Sequence, residues 1–455
     1  MAVKEPQFVL TERETHWINS VYFLFLFSMM QIGLALLAKN FSAIATIHAL
    51  LVVGIGVYIS LTSHSAKNIA FVVAYLIGAE LFWRMTNANV FWEFGKYASA
   101  LVIGIGLLRF KKWKNAWPPI LYLGCLLVSI PATISWFGWG RDAREAISFN
   151  FSGPFLLALS VIFFSQLKMN LSQLKIIAWL ISLPIISVFT LAFYSTITAQ
   201  RIVFTTESNF TTSGGFGPNQ VSAVLGLGAV MMFLIFVFEK NRQMRVLALL
   251  FFSLFLIQSM LTFSRGGIYN AAICIFFAVI HIIRNKRARL RFFILALGLL
   301  LFFVYVVLPR LDDFTNGLFA QRFTDTGLTH RGDIALGELM VWRDYPIFGT
   351  GPGISKYEAF RYTRILAAAH TEYTRMLSEH GAFGFLALII LGVISVRAYI
   401  KAPNWVYKTW VVVFLMWPMT EMAHAAMRIA AISVLFGMSQ ISWGQEYRLI
   451  SANEK

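Results

Sequence analysis

Apolar residues fill this chain in continuous runs broken by short polar or basic segments, and 58% of its residues are hydrophobic. The runs are long enough to cross about 30 Å of hydrocarbon as helices. Their continuity, without the alternation of short strands, argues against a transmembrane barrel. Candidate spans begin near Trp17, Ser42, Asn68, Ala98, Trp117, Phe151, Lys175, Gly217, Val246, Gly267, Phe292, Gly381, Val406 and Met427. The third, fourth and last are short or interrupted. The pattern therefore predicts an all-α polytopic membrane protein with about 12–14 transmembrane helices. Lys4 to Glu14 is mixed in charge and the first apolar run is span-length, which is unlike a cleavable signal peptide.

The segment from Pro309 to His380 breaks the pattern. Its 72 residues hold eight Lys or Arg, nine Asp or Glu, several aromatics and a glycine-rich turn. A membrane protein with one substantial polar segment is expected to do its recognition or chemistry there. No other stretch reads as a soluble domain, so residues 1–455 are expected to form one integral membrane domain with 309–380 as a large loop within it.

The formal net charge of +17 could suggest nucleic acid, but its placement argues against that. Arg109, Lys111, Lys112 and Lys114 form one basic cluster; Lys168 and Lys175 a second; Lys240, Arg242 and Arg245 a third. Arg284, Lys286, Arg287, Arg289 and Arg291 form a fourth, and Arg397, Lys401 and Lys408 a fifth. When the spans are counted through, all five fall on one side. The positive-inside rule then places them and both termini in the cytoplasm, with a minor role in binding anionic lipid. Arg141 to Asn150, Thr198 to Phe216, the turn at Ser264 to Gly267, and the 309–380 loop fall outside. Cys125 and Cys274 lie within apolar spans, so no disulfide is expected. Neither metal-ligand spacing nor a nucleotide-binding signature is evident. Ionisable residues are sparse within the spans, Glu80 and Arg84 excepted, whereas an ion-coupled transporter would be expected to carry them near the midplane.

Several external motifs could carry chemistry. In TFSRGGIYN, Arg265 sits at the outer mouth of a span and offers phosphate a planar set of donors, while Gly266 and Gly267 would let a headgroup approach the backbone. An arginine that snorkels beside a tight hairpin fits the same residues. In HRGDIALGELMVWRDYPIFGTGPG, the run after Thr329 and His330, from Gly332 to Trp342, has the spacing of an amphipathic helix with Arg331 at its start. The glycines from Gly349 to Gly353 read as a structural turn more readily than as a phosphate nest. Arg322 and Arg331 are the better phosphate candidates, with solvated surface arginine as the alternative.

In AHTEYTRMLSEHG, His370 is expected to open a helical stretch, sharing a side with Tyr373 and Leu377, with Glu372, Arg375 and Glu379 as an internal charge ladder. A neutral imidazole there could take a proton from an attacking hydroxyl, or simply serve as a hydrogen-bonding fixture. In TTSGGFGPNQ, the glycines mark a bend into the membrane, Asn219 could cap the following span, and Arg201 is a further external cation. EMAHAAMRIA brings His424 and Arg428 close to the outer surface.

Together FSRGG, HRGDIALGELMVWRDYPIFGTGPG and AHTEYTRMLSEHGAFGF, with GGFGPNQ as weaker support, resemble the O-antigen ligase and O-antigen polymerase superfamily of bacterial inner-membrane glycosyltransferases. The motifs cover about a quarter of the chain, and their order and spacing match better than any one alone. The resemblance implies a C-type glycosyltransferase-like fold and a metal-independent, inverting transfer that needs no cofactor. The donor would be an undecaprenyl-pyrophosphate-linked glycan and the acceptor a hydroxyl on a glycan or on lipid A–core, at the periplasmic face of the inner membrane. By motif position Arg265 and Arg331 would handle the pyrophosphate and His370 would be the base, with Arg322 competing for the second arginine role. Arg322, Arg201, Tyr373 and Asn219 are taken as substrate-binding. Glu372 and Arg375 depart from the generic ligase pattern. Polymerase and ligase both fit, and other polysaccharide assembly proteins are possible partners beside membrane lipid. The competing classes are a flippase or exporter of lipid-linked sugars and a non-catalytic scaffold of an assembly complex.

Overall fold

The computed structural model describes residues 21–111, 113, 116–284, 286–324 and 331–443. Lys4 to Glu14, Trp17, Lys112, Lys114, Thr329 and His330 lie outside the described residues, as do the side chains of Lys286, Arg287 and Arg291.

The chain is helical almost throughout. The first half comprises α1 (Val21–Asn40), α2 (Ser42–Thr62), α3 (Ala66–Met85), α4 (Phe94–Phe110), α5 (Trp117–Leu127), α6 (Ile130–Phe137), α7 (Arg141–Phe164) and α8 (Leu171–Thr198). Then come α9 (Pro218–Phe238), α10 (Arg242–Leu261), α11 (Arg265–Ile282) and α12 (Lys286–Phe302). The polar segment holds α13 (Leu308–Phe314), α14 (Leu318–Thr324), α15 (Arg331–Asp344) and α16 (Ser355–Thr363). The chain closes with α17 (Glu372–Lys401), α18 (Trp405–His424) and α19 (Ala430–Met438). Among the described residues, ten helical segments are long and apolar enough to cross a membrane. This is an all-α polytopic membrane protein. The shortest of the expected spans is α19, whose nine residues reach only about 14 Å.

Burial sorts the helices. The apolar windows of α8 and α9 are 83% buried and form the centre of the bundle. Those of α1 and α2 are only 28% and 22% buried, leaving Phe25, Leu26, Leu50 and Leu51 exposed, as lipid-facing helices should. At one end of the bundle Lys168–Met169 (β1) pairs in parallel with Ser442–Trp443 (β2). The other end carries the polar segment and the motifs. Cys125 and Cys274 are buried and unpaired with each other.

Two local expectations need correction. His370 does not open a helix: α17 starts at Glu372, capped by the extended Thr371, whose side chain accepts from Tyr373 N. α17 then runs through the membrane with a break at Gly381 (φ 57°, ψ −136°), where a Cβ would lie 2.5 Å from the Ile347 carbonyl oxygen. Nor does Asn219 cap α9. Gly217 holds the cap position without a side-chain bond, and Asn219 turns to Ser264 instead. Arg141 to Asn150 is helical, forming the first turns of α7, with an exposed Arg141–Glu145 pair at 2.6 Å.

Candidate active site at one end of the bundle

The site begins at the corner between α10 and α11. Phe263 takes a left-handed conformation (φ 56°), strained for a bulky residue. Its neighbours over-determine it. Asn209 N donates to Thr262 O at 2.8 Å, Thr212 Oγ1 to Leu261 O at 2.6 Å and Ser222 Oγ to Ser264 O at 2.8 Å. Ser264 Oγ in turn donates to Asn219 Oδ1 at 2.8 Å. The corner delivers Arg265, half-buried, as the first residue of α11. Two glycines follow because no Cβ fits. At Gly266 it would come within 1.9 Å of His424 Nε2, and at Gly267 within 2.0 Å of the Ser222 carbonyl oxygen.

The polar segment folds over this corner. Arg322, near the end of α14, is buried and donates from Nε to Phe263 O at 3.0 Å. Arg331 opens α15, which is helical as expected but buries Ile334, Gly337, Glu338 and Val341, leaving the apolar Leu336 and Met340 exposed. The glycine turn then docks on α17: Thr350 N and Gly351 N donate to Ser378 O and Glu379 O at 3.0 and 2.9 Å. Gly349 and Gly351 are left-handed (φ 68° and 97°), and a Cβ on Gly349 would meet the Glu379 backbone at 2.3 Å. These glycines serve packing.

The charge ladder on α17 forms and reaches beyond its own helix. Arg375 pairs with Glu372 and, at 3.1 Å, with Glu379, and donates to Asn150 Oδ1 at 2.5 Å. Glu379 Oε1 accepts from Gly353 N at 2.7 Å, and Glu372 Oε2 from Met427 N at 3.2 Å. The ladder thus ties the glycine turn, α7 and the α18–α19 turn to the start of α17, just after His370.

The α18–α19 turn supplies the remaining wall. Glu80 and Arg84, in the last turns of α3, pair at 2.6 Å. Glu80 Oε2 accepts from Ala430 N at 2.7 Å, and Arg84 donates to Arg428 O at 3.3 Å and to Gln220 Oε1 at 3.1 Å. The turn so held aims Arg428, whose Nη2 donates to Ala369 O at 3.2 Å, directly before His370. One turn earlier, Glu421 accepts from Asn270 Nδ2 at 2.9 Å.

These groups share one electrostatic neighbourhood. Burial and the guanidiniums of Arg322, Arg428 and Arg265 hold Arg331 below the ordinary arginine range, with Glu421 opposing. Arg428 is likewise lowered by burial, against the pull of Glu421. Burial, Arg428 and Arg331 push His370 down to about 4, so its ring is neutral near pH 7. Arg265, Arg322, Arg331 and His370 therefore share one neighbourhood. Asn219 reaches the site through Ser264. Tyr373 directs its hydroxyl to Met419 O at 2.9 Å, bracing α17 on α18. Arg201 is exposed in the loop after α8, with no bond or ion pair tying it to the cluster among the described residues.

Sequence reasoning did not single out Glu421 or the buried Lys96–Glu93 pair (2.6 Å). Their one signal was ionisable character inside or beside an apolar run.

Fold and site define a multi-pass α-helical membrane protein with a cluster of guanidinium and imidazole groups at one end of its bundle. Residues 250–389 match the family model described as O-Antigen ligase, a stretch that includes Arg265, Arg322, Arg331 and His370. Over that stretch the chain is similar to the O-antigen ligase family. No curated protein matches it.

Proposed function

We propose that this protein transfers a glycan from undecaprenyl pyrophosphate to an acceptor hydroxyl at the periplasmic face of the bacterial inner membrane. The observation that carries the reading is the convergence of Arg265, Arg322 and Arg428 on Arg331, and of Arg331 and Arg428 on His370, with Glu421 as the carboxylate coupled to Arg331. A surplus of fixed positive charge in a partly buried place calls for an anion of more than one charge, and a pyrophosphate supplies it. The 309–380 segment would face the periplasm and cover the reacting ends, excluding the water that would otherwise hydrolyse the donor.

In this scheme the acceptor oxygen attacks the anomeric carbon from the face opposite the pyrophosphate. The new C–O bond forms as the bond to the phosphate oxygen breaks, which inverts the anomeric centre. His370 takes the acceptor proton, and Arg265 and Arg331 hold the charge that gathers on the leaving pyrophosphate. Against these cations alone the lowered His370 is a weak base. A bound pyrophosphate offsets the neighbouring cations and raises its basicity towards the working pH. The residues supply the positive charge themselves, so the scheme routes no step through a metal or cofactor.

Purified protein, a polyprenyl-pyrophosphate-linked oligosaccharide and either a second lipid-linked repeat or lipid A–core test the reading. Product on the first acceptor means a polymerase, and on the second a ligase. His370→Ala and Arg331→Ala are expected to lower turnover at least 100-fold. Full transfer by both variants would overturn the enzymatic reading and leave an exporter or a scaffold.

A further inference from the structure

The scheme above leaves one imidazole of the cluster without a task. His424 is the last residue of α18. Its ring lies against the backbone of Gly266, so close that a Cβ there would stand 1.9 Å from Nε2 and 2.1 Å from Cε1. Both ring nitrogens are shielded from solvent, and neither has a hydrogen-bond partner among the described residues. A buried imidazole with two unsatisfied nitrogens raises the energy of the fold, so its retention at a packed corner needs a reason.

The surroundings say what would satisfy it. The titratable and charged groups acting on His424 are Arg331 of α15, His370 before α17 and Arg428 of the α18–α19 turn. Arg265 is the residue before Gly266, on which the ring rests. Glu421, on the same helix, is engaged with Asn270. A neutral imidazole always carries one N–H, and that N–H needs an acceptor. Arginines only donate. The missing acceptor is therefore a ligand atom, and among so many cations an anionic oxygen fits best.

We propose that His424 is a phosphate ligand: one ring N–H donates to a non-bridging oxygen of the pyrophosphate that Arg265 and Arg331 hold. His370 and His424 then divide the work, the first facing the acceptor proton and the second the leaving group. The assignment rests on the pyrophosphate reading of the cluster. It also gives the SRGG motif a second purpose. Gly266 lets the ring sit flush on the backbone beside Arg265, so that imidazole and guanidinium reach the same phosphate. The shared chemistry is a diphosphate, and it could come from the lipid carrier or from free pyrophosphate.

Binding of farnesyl pyrophosphate and of inorganic pyrophosphate to the purified full-length protein, read by calorimetry and by ligand-induced thermal shift, tests this. Wild type is expected to bind both, and the lipid form more tightly if the carrier is the natural source. His424→Phe keeps a flat ring over Gly266 and removes both nitrogens. It is expected to melt higher than wild type when empty, yet to bind either probe roughly tenfold or more weakly. His424→Gln, which restores a side-chain N–H, should recover part of the loss. Wild-type affinity in His424→Phe would overturn the assignment while leaving the pyrophosphate reading intact. Failure of wild type to bind either probe would overturn both.

Discussion

Arg322 Nε donates to the carbonyl of Phe263 at 3.0 Å, which fastens the polar segment to the corner that presents Arg265. Phe263 is left-handed, and its carbonyl orientation fixes where α11 begins. Arg322 thus holds the corner and also adds its charge to the field on Arg331. A hydrogen bond from a charged donor contributes about 1.5–3 kcal/mol. Arg322→Ala is expected to lower the melting temperature and weaken donor binding together. Arg322→Lys keeps the charge but has no donor at the Nε position, so it should retain the melting loss while recovering part of the affinity. If Arg322→Lys matches wild type in both melting temperature and Kd, the tie to Phe263 has no part in stability.

The two glycines after Arg265 make separable predictions. A Cβ on Gly266 meets a side chain, the His424 ring, whereas a Cβ on Gly267 meets the Ser222 backbone at 2.0 Å. Side chains can yield and backbone cannot. Gly266→Ala should therefore displace His424 and the arginine beside it, lowering kcat/KM strongly with a modest melting loss. Adding His424→Ala should relieve the clash and restore the melting temperature. Gly267→Ala forces α9 and α11 apart, a change in the overpacking range of about 1–3 kcal/mol or more, which His424→Ala should not rescue. Equal rescue of both glycine variants would contradict this geometry.

His370 predicts a pH profile. Its ring is pushed down to about 4 by burial and by Arg428 and Arg331, below the usual histidine value of 6.5. The acid limb of kcat/KM reports the free enzyme, so it should stay flat from neutrality to near pH 5 and fall below that. The limb of kcat reports the loaded enzyme and should lie higher, because the bound pyrophosphate counters the cations. Arg428→Gln keeps an N–H for Ala369 O and removes a charge, so it should move the kcat/KM limb upward. A wild-type limb at 6.5, or a downward shift in Arg428→Gln, would show that these arginines do not set the basicity of His370.

Much of this architecture was legible in the sequence because it rests on local signals. Span-length apolar runs give the helices, and glycine pairs and isolated external arginines mark the corners. The Glu372–Arg375–Glu379 ladder also forms within a single helix. What stayed hidden depends on contacts between distant elements. Nothing in the third span announces that Glu80 accepts from Ala430, 350 residues away, or that Arg84 grips the Arg428 carbonyl. His370 falls before the helix because Thr371, a weak boundary signal in sequence, takes the cap position ahead of Glu372. Asn219 reads as a cap in sequence because its partner, Ser264, lies at the distant α10–α11 corner.

Glu338 predicts a pH dependence of stability. It sits on α15, is 2% exposed, and accepts from Thr374 Oγ1 at 2.5 Å. Burial raises its carboxyl to about 8 from a reference of 4.5; the Thr374 bond opposes that rise and nearby Glu379 adds to it. A carboxyl raised on folding favours the native state fully below the unfolded value and loses that contribution as pH climbs through the folded value. Stability should therefore decline between about pH 4.5 and 8 and level off above it. Glu338→Gln keeps an acceptor for Thr374 and cannot ionise. It should melt within a degree or so of wild type at pH 5 and several degrees higher at pH 8, a gain on the order of a few kcal/mol. Because α15 starts at Arg331, the same variant should hold the arginine cluster more firmly at alkaline pH and flatten the basic side of the activity profile. Parallel melting curves for the two proteins from pH 5 to 9 would show that Glu338 ionises in the native state as freely as in the unfolded chain.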